Sequence, residues 1–184
     1  MRMKGTGIFI SFILMVILAF TLSVTAVAAE LGEYEIKSGM LYNFTNFIEW
    51  PAESLDNART LSVCIAGEKP ANQSLYRLQG KRYKDRMIVV RQVREPVNAI
   101  GCNLLFIHGS ETSHLTAYLQ MAQKRSILTV SDMENFAANG GIIGFIEQDR
   151  KVRFEINLDA ARHAKIVINS QLLKLARIVS GRKY

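Results

Sequence analysis

One segment of the sequence leaves little choice of fold: the run NLLFI from Asn103 to Ile107, in which one asparagine is followed by four consecutive apolar residues. A strand that is apolar at every position is typical of a parallel sheet buried on both faces, because a half-exposed strand alternates apolar and polar residues. Such a sheet needs helices on both of its faces. The run therefore predicts an α/β domain built in layers.

The remaining segments agree with layers of strands and helices. The predicted strands are 60–67, 87–93, 103–107, 127–130, 142–147, 151–157 and 166–168. The predicted helices are 32–50, 72–78, 112–123, 158–164 and 169–179, with a brief helical turn to Ala138 that Ser131 or Asp132 would cap. Residues 142–147 and 151–157 follow the turn signal Asn139-Gly140-Gly141 and predict an antiparallel hairpin. We therefore expect a layered α/β sandwich with a mostly parallel central sheet, a C-terminal antiparallel hairpin and flanking helices.

Three of these elements carry expectations about individual side chains. In the second hairpin arm, Val152, Phe154 and Ile156 would face the core, and the alternating residues Arg153, Glu155 and Asn157 would face water. The helix 112–123 would pack through Leu115, Leu119 and Ala122. The C-terminal helix would have an apolar side made of Leu172, Leu173, Leu175, Ala176 and Val179.

The segment from Gly39 to Pro51 is the densest in aromatic side chains. Its apolar residues recur at intervals of three and four, which predicts one face of a helix, and the helix would end before Pro51. Each large side chain that it buries contributes roughly 1.5–3 kcal/mol. A place in the core is the favoured interpretation, and an aromatic ligand pocket is the alternative.

The N-terminus has the pattern of an exported protein. Arg2 and Lys4 precede an uncharged apolar run from Ile8 to Val24, and residues 26–28 (AVA) form a small-residue cleavage site. This pattern predicts a secretory signal peptide over residues 1–28 and a single mature domain over residues 29–184. An uncleaved membrane anchor is the alternative, since the apolar run approaches the length that spans a bilayer.

The predicted export limits which binding partners the positive net charge of the chain suggests. Removal of residues 1–28 lowers the formal net charge from +7 to +5. The most basic segment, from Lys81 to Arg86, contains a tyrosine and resembles a nucleic-acid contact, but an exported protein seldom meets nucleic acid. We interpret it as a solvated loop and expect no nucleic-acid partner. An acidic protein or anionic lipid headgroups fit the charge better.

Two cysteines, Cys64 and Cys102, are present in a chain predicted to be exported to an oxidising compartment. A bond between them would close a loop of about 38 residues and contribute about 4 kcal/mol in the chain-entropy model. Two buried free thiols are the alternative.

The sequence shows no constellation typical of catalysis, a metal site or a cofactor. Of its three histidines, His108 and His114 lie near Ser110, yet G-x-S-x-G is absent, as are HExxH and CxxC. Gly140, Gly141 and Gly144 precede a strand rather than a helix, so no glycine-rich nucleotide loop fits. We therefore expect a protein that is not an enzyme and holds no cofactor. A hydrolase using Ser110 and His114 is a hypothesis of another class.

Several motifs follow one another along the chain: LYNF (41–44) with EWP (49–51), LSVCIAG (61–67), CNLLFI (102–107), ILTVSD (127–132) with GGI (140–142), and VRFEIN (152–157) with AAR (160–162) and SQLLKLAR (170–177). In this order they resemble the YfiR-like family of bacterial periplasmic domains. They cover nearly the whole mature chain. The residues that carry the resemblance, expected to be structural, are Tyr42, Asn43, Phe44, Trp50, Pro51, Gly140, Gly141, Phe154, Glu155, Asn157, Leu172 and Leu173.

The resemblance implies a periplasmic regulatory protein. Such a protein would bind the periplasmic domain of an inner-membrane diguanylate cyclase and repress it, which lowers cyclic di-GMP signalling and biofilm formation. An outer-membrane lipoprotein is a further partner that it implies, and a homodimer is left open. Cys64 and Cys102 match the family's cysteine pair, whereas the second pair of some relatives is absent.

A repressor of this kind needs an exposed apolar patch. The C-terminal helix and the basic segment from Lys81 to Arg86 are the candidate surfaces. A periplasmic small-ligand sensor for a membrane kinase or transporter is the alternative function.

Overall fold

The computed structural model describes residues 32–55, 59–67 and 71–181. The predicted signal peptide lies outside these residues, as do its cleavage site and the C-terminal tail 182–184. Within the described residues, no helix is long and apolar enough to cross a membrane.

The helices are α1 (32–46), α2 (Ala71–Leu75), α3 (Leu115–Gln123), α4 (Leu158–His163) and α5 (Ser170–Leu173). The strands are β1 (Ile48–Glu49), β2 (Thr60–Ala66), β3 (Arg82–Tyr83), β4 (Arg86–Val93), β5 (Leu104–Ile107), β6 (Leu128–Ser131), β7 (Ile143–Gln148), β8 (Lys151–Asn157), β9 (Val167–Ile168) and β10 (Arg177–Val179). In the described part of the chain, eight strands form one sheet in the order β10-β8-β7-β6-β5-β2-β4-β3. β1 and β9 pair separately as an antiparallel ribbon.

The central sheet is mainly parallel. β4, β2, β5, β6 and β7 run parallel, and β10 runs parallel to β8. β7 and β8 form the predicted antiparallel hairpin, and β3 adds a short antiparallel edge. The predicted α/β fold class is confirmed.

The order of strands changes direction between β2 and β5. From β2 the chain adds β4 on one side of it, and then returns to add β5 on the other. Connections therefore leave the carboxyl ends of β2 and β5 in opposite directions and open a crevice there. In open α/β sheets this switch point is where ligands bind.

The two faces of the sheet carry different amounts of helix. On one face Leu61, Val63 and Ile65 of β2 join a core with side chains of α1, α2, α4 and α5. On the other face Cys64 and Ala66 join a smaller core covered by α3 and a 3-10 helix at Pro96–Ala99. In the part of the chain that the structure describes, the larger core thus lies under four α-helices, and the smaller core lies under α3 and one 3-10 helix.

The predicted helix 32–50 ends four residues early, at residue 46. Ile48 and Glu49 instead pair with Ile168 and Val167 of β9. Ile48 is buried in this strand, so the apolar period continues past the end of the helix and gives no signal of it. The predicted end before Pro51 was wrong because the partner strand lies about 120 residues away in the chain.

The predicted C-terminal helix 169–179 was also wrong beyond its first turns. Asn169 caps it as expected, since its Oδ1 accepts the Gln171 backbone N–H at 2.8 Å. The helix α5 then stops at Leu173, and the chain returns to the sheet as β10. Leu175, predicted on the apolar side, is 70% exposed.

β10 also explains why the predicted wet face of β8 was wrong. Glu155 and Asn157 are buried, whereas Arg153 is exposed as expected. Glu155 is held by Arg177 of β10. The Asn157 amide donates to the Ala137 carbonyl at 2.7 Å, and its oxygen accepts the Ala160 N–H and so caps α4.

Three smaller expectations were corrected. The segment after β6 forms a series of hydrogen-bonded turns rather than the brief helical turn predicted to Ala138. The basic segment from Lys81 to Arg86 is not entirely loop, because it contains β3. In α3 the fully buried side chain is Tyr118, beside the expected Ala122, while Leu115 and Leu119 are only partly buried.

Candidate functional site

Polar side chains collect where β2, β5 and β6 end. Each strand is followed directly by one of them or by a glycine: Gly67 after β2, His108 after β5 and Asp132 after β6. The first turns of α1 lie against the same edge. We call these residues the switch-point cluster: Tyr34, Lys37, Gly67, His108, Ser110 and Asp132.

Asp132 is the centre of the cluster. Its Oδ2 accepts a hydrogen bond from the Tyr34 hydroxyl at 2.7 Å and one from Lys37 Nζ at 3.2 Å. Its Oδ1 accepts the Gly109 backbone N–H at 3.1 Å. Lys37 also pairs with Glu33 at 2.7 Å, although its own side chain is only 6% exposed. These bonds fasten α1 across the crevice and compensate the charges of a nearly buried carboxylate and ammonium group.

His108 and Ser110 form the second part of the cluster. His108 Nδ1 accepts the Ser110 backbone N–H at 3.1 Å and lies 3.0 Å from Ser110 Oγ. Because Nδ1 is an acceptor here, a neutral His108 carries its proton on Nε2. Gly67, at φ +113°, lies so close that a Cβ there would meet His108 Cβ at 2.6 Å. Only glycine fits this position.

The geometry does not join these groups into a nucleophile, a base and an orienting acid. Asp132 accepts the N–H of Gly109 and does not contact the His108 ring in the hydrogen bonds above. His114, the base of the hydrolase hypothesis, pairs with Glu111 at 3.1 Å. Among the described residues, no group of His, Cys, Asp and Glu side chains could hold a metal ion.

Sequence reasoning named Ser110 and His108 but missed Tyr34, Lys37, Gly67 and Asp132 as one site. A usable signal exists, since parallel strands place their carboxyl ends at the same edge. Gly67 is the last residue of the predicted strand 60–67, His108 directly follows the predicted strand 103–107, and Asp132 comes two residues after the predicted strand 127–130. The contribution of α1 has no such signal, because Tyr34 lies 98 residues before Asp132.

The predicted disulfide between Cys64 and Cys102 is present, with a Cα–Cα distance of 5.9 Å. It joins β2 to the residue that leads into β5, and both cysteines are buried in the smaller core. Arg91 of β4 lies over it, with Nη2 3.6 Å from Cys64 Sγ and 3.5 Å from Cys102 Sγ.

The aromatic residues that carry the family resemblance lie mainly in the larger core. Phe44 packs on Phe145 and Phe154 with ring centroids 5.8 and 4.9 Å apart. Trp50 is buried, and its Nε1 donates to the Asn103 carbonyl at 3.0 Å. Tyr42 is half-buried and donates to the Arg82 carbonyl at 3.0 Å.

The remaining motif residues differ in exposure. Asn43 is exposed, Pro51 is half-buried before a 3-10 helix, Leu172 is buried and Leu173 packs partly buried against the larger core. Gly140 has φ +97°, and a Cβ on Gly141 would meet the Phe136 ring at 2.0 Å. These residues do not converge on one site.

A cavity of about 380 Å³ opens at the opposite edge, near the amino ends of β5 and β6. Its lining is polar and includes Lys124, Arg125 and Lys165 with Glu53. α3 and α4 both end near these cations, which suits the partial negative charge of a helix C-terminus. The basic side chains are therefore explained by the helices without a ligand.

Comparison with known proteins gives one strong match. A family model described as YfiR/HmsC-like matches residues 34–177. No match was found among curated proteins.

Solved structures show only a distant likeness. A conserved domain protein from Vibrio cholerae is 12% identical, with a TM-score of 0.47, over 69% of this chain and 56% of that one. An ABC domain from Streptococcus pneumonia, solved in complex with L-Trp, is 9% identical, with a TM-score of 0.48, over 70% and 59%. An open, ligand-free substrate-binding protein with adhesive properties from Clostridium difficile is 10% identical, with a TM-score of 0.46, over 71% and 59%. The chain spans less than two thirds of the length of each of these structures.

Proposed function

This chain belongs to the YfiR/HmsC-like family of periplasmic regulators, and from that membership we propose that it represses an inner-membrane diguanylate cyclase. Repression occurs by binding to the periplasmic domain of the cyclase. It lowers cyclic di-GMP and with it biofilm formation. An outer-membrane lipoprotein that competes for this chain would release the cyclase.

The family match over residues 34–177 carries the proposal, because it covers nearly all of the described fold. The structure adds two supports. The charges of the switch-point cluster bind one another, so Asp132 and Lys37 hold α1 in place rather than converging on a substrate. Large apolar side chains are exposed, as regulation by contact requires. They are Ile36, Tyr76, Met87, Val97, Ile100, Val167, Leu175 and Ile178.

Deletion of the gene in its native bacterium tests the proposal. We expect cyclic di-GMP to rise and surface attachment to increase, and the full chain supplied from a plasmid should restore both. A chain that begins at residue 29 after a new start methionine is the matched control, because it has lost the predicted export signal and should not restore repression. Unchanged cyclic di-GMP in the deletion strain would contradict the proposal.

A periplasmic small-ligand sensor is the second candidate, and the switch-point cluster favours it. The cluster lies where ligands bind in open α/β sheets, and α1 lies over it through Tyr34 and Lys37. A ligand would therefore displace the first turns of α1. Asp132→Asn should weaken the hold of Lys37 on the crevice and raise the affinity for such a ligand, as measured by thermal shift with a metabolite library. A library without any shift in either protein would count against a sensor.

A further inference from the structure

Among the residues that the structure describes, no helix covers one part of the sheet surface. α3 packs through Tyr118 and Ala122 against the smaller core, which includes Leu105 and Ile107 of β5. The same face continues across β2 and β4, where register pairs Thr60 with Met87, Ser62 with Val89 and Cys64 with Arg91. Thr60, Met87 and Arg91 are exposed there, and Ser62 and Val89 are half-buried. We call this surface, together with Ile100 beside it, the β2–β4 face.

Apolar side chains form one component of the β2–β4 face. Met87 is 53% exposed and Ile100 is 50% exposed. Arg91 connects them, because it extends from the strand of Met87 and its Nη2 donates to the Ile100 carbonyl at 3.3 Å. Met87 and Ile100 therefore lie on either side of Arg91, and the half-buried Val89 lies between Met87 and Arg91 on the same face of β4.

Positive charge forms the other component. Arg91 donates from Nε to Ser62 Oγ at 3.2 Å and points Nη2 at the disulfide sulfurs. Within the described residues, no carboxylate pairs with Arg91 or with Arg59, which precedes Thr60. Lys124 and Arg125 lie near the edge of the β2–β4 face, since they line the same cavity as Gly101, the residue after Ile100. Glu53 also lines that cavity, so Arg59 and Arg91, which have no carboxylate partner in the described part of the chain, supply the positive charge of the face itself.

From these observations we propose that the β2–β4 face docks an acidic, partly apolar segment of a protein partner. The inference rests on the proposed function, in which that partner is the periplasmic domain of the cyclase. On binding, apolar side chains of the partner would bury Met87 and Ile100 away from water. A carboxylate of the partner would accept hydrogen bonds from the remaining N–H groups of Arg91. A second copy of this chain fits poorly, because a two-fold contact would set Arg59 and Arg91 against the same cations.

Binding of the purified mature chain to the purified cyclase periplasmic domain tests the face, by titration at low and at physiological salt. Met87→Asp and Arg91→Ala should each weaken binding about tenfold or more. Arg91→Ala should also reduce the salt dependence of the affinity. The matched controls are Val167→Asp, at a site 59% exposed, and Arg153→Ala, at an exposed site on β8. Both controls should bind as the unaltered chain does.

The outcomes separate the two proposals. If the unaltered chain binds and all four variants bind equally well, the β2–β4 face is overturned and the proposed function stands. If the unaltered chain does not bind and does not lower cyclic di-GMP in cells, the proposed function fails and the docking surface fails with it. Thermal unfolding and a thiol count on each variant exclude misfolding as the cause of lost binding, and Met87→Asp leaves the contacts of the disulfide intact.

Discussion

Arg177 donates from both Nε and Nη2 to Oε1 of Glu155, and the Nε bond measures 2.7 Å. The Glu155 side chain is 6% exposed, whereas that of Arg177 is 62% exposed. The two residues are register partners in β8 and β10. One ion pair therefore fixes the C-terminal strand to the sheet and supplies the positive charge that a buried carboxylate needs.

Arg177→Ala should destabilise the protein by about 2–3 kcal/mol, because Glu155 would stay buried without its charged partner. Glu155→Gln should cost less, since the amide buries no charge. Urea unfolding of both single variants and of the double variant measures the coupling between the two residues. Equal losses for Arg177→Ala in the presence and absence of Glu155 would show that the pair is energetically unimportant.

The central sheet could be predicted from sequence because the residues within each strand, and the turns beside it, are enough to indicate the strand. Residues 104–107 are apolar throughout, and the hairpin arms are separated by polar residues with positive φ at Asp149 and Arg150. Such signals depend on the strand itself and not on what it meets. The disulfide was predicted from the expected oxidising compartment and the even number of cysteines, and the structure contains the bond.

The ends of the helices could not be predicted, because long-range pairing decides them. Ile48 fits an apolar helix face and an apolar strand equally well, and the choice depends on β9. Leu175 and Ala176 continue the apolar helical period of α5. The helix nevertheless ends at Leu173, because Arg177 pairs with β8 as part of a strand. The burial of Glu155 depends on the same contact, so one missed strand produced two wrong expectations.

Gly141 should not tolerate a side chain. In Gly141→Ala the new Cβ would lie 2.0 Å from the ring of Phe136, which is itself fully buried. The ring can move only by disturbing the smaller core, so we expect a loss of about 3 kcal/mol or more in urea unfolding.

Gly39→Ala is the matched control for this substitution. Gly39 lies within α1, and a Cβ there meets nothing within 4 Å. Alanine should stabilise the helix by about 0.5–1 kcal/mol. Destabilisation at position 39 equal to that at position 141 would contradict the packing shown here.

Loss of the disulfide should cost about 4 kcal/mol, because the bond restricts a loop of 38 residues in the unfolded chain. Reduction of the native protein tests this without altering its core, and the midpoint of urea unfolding should fall. Cys64→Ala combined with Cys102→Ala should unfold at the same urea concentration with and without reductant. Two cysteines that alkylate in native, unreduced protein would refute the bond.

Tyr118 carries a polar atom that the fold leaves unsatisfied. Its side chain is fully buried on the core-facing side of α3, and its hydroxyl has no hydrogen-bond partner among the described residues. Tyr118→Phe removes that hydroxyl and keeps the ring, so the free energy of unfolding at neutral pH should rise by about 1 kcal/mol. A loss of stability in the Phe variant would mean that the hydroxyl is satisfied in solution.

The same residue predicts how stability depends on alkaline pH. Burial, and then the negative charges of Glu111 and Glu95, raise the pKa of Tyr118 to about 12 from its ordinary value of 10.0. Between these two values the unfolded chain releases a proton that the folded chain keeps, so stability falls as pH rises. The contribution is complete below pH 10.0 and is lost by about pH 12, at about 1 kcal/mol per pH unit. Urea unfolding of the native protein and Tyr118→Phe at pH 9 and at about pH 11 isolates this residue, because the two proteins differ only at position 118. The native protein should lose about 1 kcal/mol more than the variant over that interval, and parallel losses would contradict the raised pKa.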